Sequence, residues 1–259
     1  MIIKKLDNQT TSKNHILAQH PFSTMIVGSK SAGKSTVLMN ILQNKDAYYQ
    51  KFNRIIFVSP TAHLDDKIQD LKKLDILLPN VKLIKKLNDE ILLEQIKIND
   101  NSLKYINESD FLKELDLEFL ENLINEQEYI IKRFGKKYSD KILLIMDDSI
   151  QSDIIRSRKF IHMILCSRHL NISTILISQA YYLVNKTLRL NSTSMILFSC
   201  PNKQEIKNIN NEWNLGNKHN EKFFEIYDEI MMEPYAFLSI NSQNQPGKRL
   251  IYKLQNFIE

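Results

Sequence analysis

Glycine is scarce in this sequence, with 5 residues in 259, and there are only two cysteines and one tryptophan. Cys166 and Cys200 stand far apart, with no CxxC and no His/Cys ligand spacing around them. That excludes a cysteine-held metal or a disulfide framework and reads as two buried thiols in a reducing compartment. No apolar run approaches the ~20 residues of a membrane span. The opening MIIKKLDNQTTSKNH lacks the apolar core of a signal peptide, so the chain is expected to work in a cytosol-like space, neither secreted nor in a membrane. A strong excess of one charge sign is also lacking. Lys+Arg number 35 against 30 Asp+Glu, leaving +5, a mild bias that suits a polyanion without identifying one.

What remains is an ordinary globular composition, 43% hydrophobic and 25% charged, at the upper end of single-domain length. One domain over 1–259 is expected, with an N-terminal extension at 1–19. Short β-branched runs bounded by turn residues mark strands at 22–28, 54–60, 81–86, 141–148, 172–178, 194–200, 235–241 and 248–254. Several are apolar throughout, as strands covered on both faces should be. Helical stretches fall between them at 34–44, 64–75, 108–133, 151–170, 202–212 and 217–232. The alternation predicts an α/β fold with a mostly parallel sheet, helices on both faces and a C-terminal antiparallel edge hairpin. Residues 87–140 break the rhythm and read as a helical insertion within the domain.

Two of the five glycines fall in GSKSAGKST, directly behind the apolar run FSTMIV. Residues Gly28, Ser29, Lys30, Ser31, Ala32, Gly33, Lys34 and Ser35 fit G-x-x-x-x-G-K-[ST] without a mismatch, and Thr36 completes the candidate set. A loop that wraps phosphate needs inward-facing backbone N–H groups that side chains would obstruct. Gly28 is expected to let the chain leave its strand in a tight turn, and Gly33 to take a positive φ. Lys34 is placed to reach the β- and γ-phosphates, and the Ser35 hydroxyl to ligate Mg²⁺. The helix opening at Lys34 aims its positive end at the same anion. ATP with Mg²⁺ is the implied ligand.

A second anchor comes from ILLIMDD at 142–148. An apolar strand ending in an acid carries that acid to its C-terminal tip, where open α/β sheets gather ligands. Asp147 is the candidate metal partner. Asp148 is the candidate base for an attacking water. Paired acids also cap helices, which is the plainer alternative. The strand STILIS ends in Gln179; inserted between the other two strands, it would bring this amide to the γ-phosphate.

The segments FSTMIVGSKSAGKST, RIIFVSP, KILLIMDD, SRHLNISTILISQ and LRLNSTSMILF span roughly residues 20–200. In that order the chain resembles the FtsK–HerA branch of additional-strand, RecA-like P-loop ATPases, and within it the genome-packaging ATPases of poxviruses, giant viruses and virophages. The more specific element is the run from Arg168 to Gln179, followed by Arg189-Leu190-Asn191. The resemblance implies ATP hydrolysis driving double-stranded DNA into a capsid and a homo-oligomeric ring, pentamer or hexamer. It also implies capsid or portal partners, and residence in the host cytoplasm (a viral factory) or the virion. It further implies an arginine reaching the transferred phosphoryl group from a neighbouring subunit, with Arg168 and Arg189 the candidates and Arg156 and Arg158 behind them. Two departures from the family pattern are read: the second acid is Asp148 where cellular members mostly carry Glu, and the chain is expected to do without an appended DNA-orienting domain.

Other features have ordinary readings beside functional ones. Lys30 faces phosphate or water, and His63 in SPTAHLDD is a loop residue or a pore neighbour. The basic clusters at 72–86 and 130–137 are solvated faces or DNA-tracking surfaces. Trp213 reads as packing. Two rivals remain: a P-loop kinase of a small molecule, and a nucleotide-gated assembly protein without significant turnover.

Overall fold

The computed structural model describes residues 15–61, 75–77, 81–87, 90–95, 103–105, 108–148, 153–215, 221–245 and 247–258. Its centre is a nine-stranded sheet. The strands that position the site are β1 (Ser23–Val27), β2 (Arg54–Val58), β7 (Phe111–Leu112), β8 (Ile142–Asp147), β9 (Ile172–Ser178) and β10 (Ser194–Phe198). They lie parallel in the order β7-β2-β8-β9-β1-β10. Antiparallel strands β11 (Phe237–Asn241), β12 (Leu250–Tyr252) and β13 (Asn256–Phe257) continue the sheet beyond β10. The expected parallel sheet with a C-terminal antiparallel edge is present, and β9 sits between β1 and β8.

Every residue of β1, β9 and β10 is buried, because helices cover both faces and neither side of these strands meets water. Alternate side chains feed two cores. One holds Ile26, Ile145, Ile177 and Phe198 against Val37, Leu38 and Ile41 of α1 (Lys34–Gln43). The other takes Val27, Met146, Leu176 and Leu197 against the helices on the opposite face. Those are α2 (Leu117–Phe134), α3 (Asp153–Arg156), α4 (Arg158–Leu165), α5 (Ser167–Leu170), α6 (Lys186–Asn191), α7 (Lys203–Trp213) and α8 (Glu221–Met231). Helix α2 shows why these segments are helical. Asp116 caps it by accepting from the Phe119 N–H at 2.6 Å, Leu120, Leu123, Ile124 and Ile130 line its buried face, and Lys132 and Arg133 sit in its last turn. Such a cap is worth about 1 kcal/mol, and the end charges complement the helix dipole.

Residues 87–140 differ from the helical insertion expected there. They hold α2, but also β5 (Glu90–Gln95), β6 (Leu103–Tyr105) and β7, which joins the edge of the main sheet beside β2. The expected strand at 81–86 stays out of the main sheet. As β4 (Val81–Leu87) it pairs antiparallel with β5, while β6 pairs with β3 (Asp75–Leu77). Pairing β4 with the next strand along the chain satisfies its backbone without a crossover. Of the N-terminal extension, residues 15–19 pack on the domain: Tyr48 donates to Ala18 O at 2.8 Å, and Asn244 accepts from the His15 N–H at 2.8 Å. His63 and the rest of 62–74, with nearly all of the helix expected at 64–75, lie outside the described residues.

Candidate active site at the strand tips

The register brings three strand ends level. Val27 of β1 lies opposite Ser178 of β9, and Asp147 of β8 lies opposite Ile177. The Gly28 N–H donates to Ser178 O at 3.2 Å. Residues just past these ends, the glycine loop, Asp148 and Gln179, therefore share one rim of the sheet. The strand spacing of about 4.8 Å places β8 roughly 10 Å from β1, with β9 between them.

Within the loop, the Ser29 N–H donates to Ser199 O just beyond β10, and the Ala32 N–H to Ser29 O, both at 3.3 Å. Gly33 has φ +103 and caps α1, as its expected positive φ requires. No side chain caps that helix and no acid occupies its first turn, so its end keeps the positive potential that draws an anion. Gly28 is needed for a reason beyond the tight turn expected of it. Its φ is not positive, but a Cβ there would fall 2.4 Å from Phe198 Cβ. Close approach of β1 to β10 demands the glycine, and Phe198 floors the loop, also lying 3.5 Å from a Cβ built on Gly33.

Lys34 is buried, its ammonium donating to Gly28 O and Ser29 O, both at 2.8 Å. Burial lowers its pKa, while Asp148 and then Asp147 oppose that shift. The ammonium thus sits inside the loop and within the field of both acids. Lys30, Ser31 and Thr36 are exposed, and Ser35 is half-buried.

Asp148 adopts a left-handed φ of +49, which a short polar side chain tolerates better than most. The chain thereby turns out of β8, and Asp148 accepts from Gln179 Nε2 at 3.2 and 3.3 Å. Gln179 is presented by a small local device: Ser178 Oγ donates to Ala180 O at 2.6 Å, tying the turn beyond β9. Lys34, Asp147, Asp148 and Gln179 are therefore gathered at one rim.

The two arginines are not gathered there. Arg168 belongs to α5, which leads into the opposite end of β9, so a seven-residue strand of about 20 Å separates it from Gln179. Its side chain is exposed, and its backbone carbonyl accepts from Lys136 Nζ. Arg189 already has partners in its own chain. It forms a two-pronged pair with Glu212 at 2.8 and 3.0 Å, donates to Val184 O at 2.9 Å, and lies over the Tyr181 ring. Its side chain is 10% exposed, so its place is that of a structural tie. Arg156 closes α3 and Arg158 opens α4. Trp213 is buried and donates to Tyr181 Oη at 3.1 Å, which is packing, as its neighbourhood in the sequence implies.

Sequence reasoning missed the residues that shape the loop from across the sheet. Besides Phe198, Tyr227 of α8 accepts from the Cys200 N–H at 2.8 Å and donates to Phe198 O at 3.2 Å, pinning the turn after β10. No local signal marks either residue, since both look like ordinary core aromatics.

Solved structures share this architecture. The DNA-packaging ATPase B204 from Sulfolobus turreted icosahedral virus superposes with a TM-score of 0.54 and 17% identity, over 93% of this chain and 98% of that one. The genome packaging NTPase B204 of Sulfolobus turreted icosahedral virus 2, in complex with AMPPCP, gives 0.52 and 15% over 90% and 96%. The pCW3 conjugation coupling protein TcpA, with ATPγS, gives 0.52 and 11% over 90% of this chain and 59% of that one. At these identities the likeness establishes the fold. No curated protein matches the chain in sequence. A sequence model of the Poxvirus A32 protein family matches residues 82–242, a span that begins after the glycine loop and contains Asp147, Asp148 and Gln179. On that match, the chain belongs to the Poxvirus A32 protein family.

Proposed function

We propose that this chain hydrolyses ATP with Mg²⁺ and couples hydrolysis to the translocation of double-stranded viral DNA into a capsid, working as a ring of identical subunits. The observation that carries the chemistry is the meeting of Lys34, Asp148 and Gln179 at the level tips of β1, β8 and β9. The motor reading draws its support from the family and from B204, described as a DNA-packaging ATPase. No helix among the described residues is long and apolar enough to cross a membrane.

Each residue then has a role. Loop N–H groups and the open end of α1 bind the phosphates, and the Lys34 ammonium neutralises the β- and γ-oxygens. Ser35 and Asp147 would hold the magnesium. The fit is chemical: both are hard oxygen donors, as this ion prefers, and among the described residues no cluster of three His, Cys, Asp or Glu forms an all-protein cage. When bound, the ion neutralises charge on the triphosphate. Asp148 accepts the proton of the attacking water, and Gln179, bonded to Asp148, orients that water. Arg168 lies too far from its own site to serve it, and is the candidate to serve a neighbour's.

The test is the ATPase rate with and without long duplex DNA, in a sample of known subunit number. Lys34→Ala should abolish turnover and weaken nucleotide binding. Asp148→Asn should bind ATP yet turn over on the order of 100-fold or more slower. Wild-type turnover in the Asp148 variant would refute the assigned base. An assembled ring indifferent to DNA would refute the motor.

A further inference from the structure

Tyr235 stands in a backbone conformation that a bulky side chain rarely adopts. The turn Glu233–Ala236 is closed by the Ala236 N–H donating to Glu233 O at 3.2 Å, with Pro234 and Tyr235 at its centre. Tyr235 has φ +58, at a position of a type II turn that favours glycine or asparagine. A bulky residue there is an outlier held in place by its surroundings. The restraint is visible: Glu233 accepts from Tyr252 Oη at 2.6 Å and Lys253 Nζ at 2.5 Å, which fixes the turn to the strand hairpin behind it. Yet the tyrosine side chain is not buried in return. The residue is 75% exposed, and among the described residues no hydrogen bond or ring contact holds it.

Its location explains the arrangement. Phe237, the first residue of β11, lies opposite Phe198, the last of β10. The turn that carries Tyr235 is therefore level with the glycine loop, and the ring comes within 3.7 Å of a Cβ built on Gly33. Asp147, Asp148 and Gln179 lie on the β9/β8 side of the loop, whereas Tyr235 lies on the β10/β11 side. A nucleoside triphosphate whose terminal phosphate points toward the acids must run its nucleoside end the other way, toward this ring. Glu233, the carboxylate two residues before it in the same turn, is paired with Lys253, which offsets its repulsion of an anionic ligand.

We infer that Tyr235 is the platform on which the base of the bound nucleotide stacks, and that it binds through its ring face alone. The inference rests on the nucleotide-binding reading above and adds a consequence to it. A ring face has no hydrogen-bond pattern to read, so adenine and guanine nucleotides should be accepted about equally.

The experiment compares dissociation constants of the full chain for Mg-ATP, Mg-GTP and Mg-tripolyphosphate, in wild type, Tyr235→Phe, Tyr235→Gly and Lys34→Ala. Glycine suits the positive φ, so Tyr235→Gly should melt at or above the wild-type temperature. It should bind both nucleotides about tenfold more weakly and tripolyphosphate as before. Tyr235→Phe should match wild type throughout, and Lys34→Ala should weaken all three ligands. Unchanged ATP affinity in Tyr235→Gly, alone or with an altered subunit number, overturns the platform while leaving the nucleotide site standing. Unchanged affinity in Lys34→Ala for all three ligands overturns the nucleotide site and the platform together.

Discussion

Replacing Gly28 by alanine adds one methyl group, and its cost follows from two opposing effects. The backbone φ there is not positive, so alanine meets no left-handed strain and gains about 0.4–1 kcal/mol by restricting the unfolded chain. Against this, the new Cβ would stand 2.4 Å from Phe198 Cβ and 3.4 Å from Phe198 Cα. Carbon atoms prefer about 3.5–4.0 Å, so the gap is more than 1 Å short. A flexible side-chain end could swing aside, but a Cβ moves only with its backbone. Phe198 is itself 1% exposed and packs on Phe237 with ring centroids 5.2 Å apart. The tips of β1 and β10 must separate, and overpacking of that kind costs about 1–3 kcal/mol. The net expectation is a loss of about 1–2 kcal/mol, a fall in Tm of roughly 2–8 °C for a domain of this size.

The same separation strains the Ser29 N–H to Ser199 O bond that shapes the loop, so nucleotide affinity should fall with stability. Thermal unfolding followed by circular dichroism, with and without Mg-ATP, reads both effects. Phe198→Ala should not rescue the variant, because alanine keeps the offending Cβ, whereas Phe198→Gly removes it. A Tm equal to or above wild type in Gly28→Ala would refute the steric account and return the glycine to a conformational role.

Three further outcomes follow from the same structure. His20 bonds Ser173 Oγ at 2.7 Å and Asn171 Oδ1 at 2.9 Å, and its pKa is pushed down to about 4, chiefly by burial and further by Lys141 and Lys136, against the Asn171 bond. Between pH 6.5 and about 4 the unfolded chain takes up a proton that the folded one refuses, so stability falls with pH across that window. After allowance for solvent screening the loss reaches about 2–3 kcal/mol near the lower end. Urea midpoints from pH 7 to 4.5 should show this slope, and His20→Gln should flatten it; an identical slope in the variant refutes the assignment.

Arg189→Met strands Glu212, whose pKa is held low first of all by the Arg189 bond. It should cost about 2–3 kcal/mol, with turnover per folded subunit retained. Arg168→Ala should instead keep stability within about 0.5 kcal/mol and lose turnover. Mixing it with Asp148→Asn subunits should restore part of that turnover, because some interfaces then join an intact site to an intact arginine. No recovery in mixed rings counts against a role in trans.

Contiguous features were legible in the sequence alone. The glycine loop, the apolar strand ending in Asp147-Asp148, the strand ending in Gln179 and the antiparallel C-terminal edge are each written in one contiguous segment. Their chemistry depends on local backbone form and on burial of a run, which neighbouring residues dictate. Tertiary packing decided everything that depends on who meets whom. It placed β9 between β1 and β8 with level tips, so that Gln179 meets Asp148 across 31 positions of chain. It paired Arg189 with Glu212, closed β4 onto β5 outside the main sheet, and made Gly28 answer to Phe198 on the next strand. A residue's type announces which bonds it is able to make, but partners far along the chain are chosen only when strands align and side chains compete for the same space.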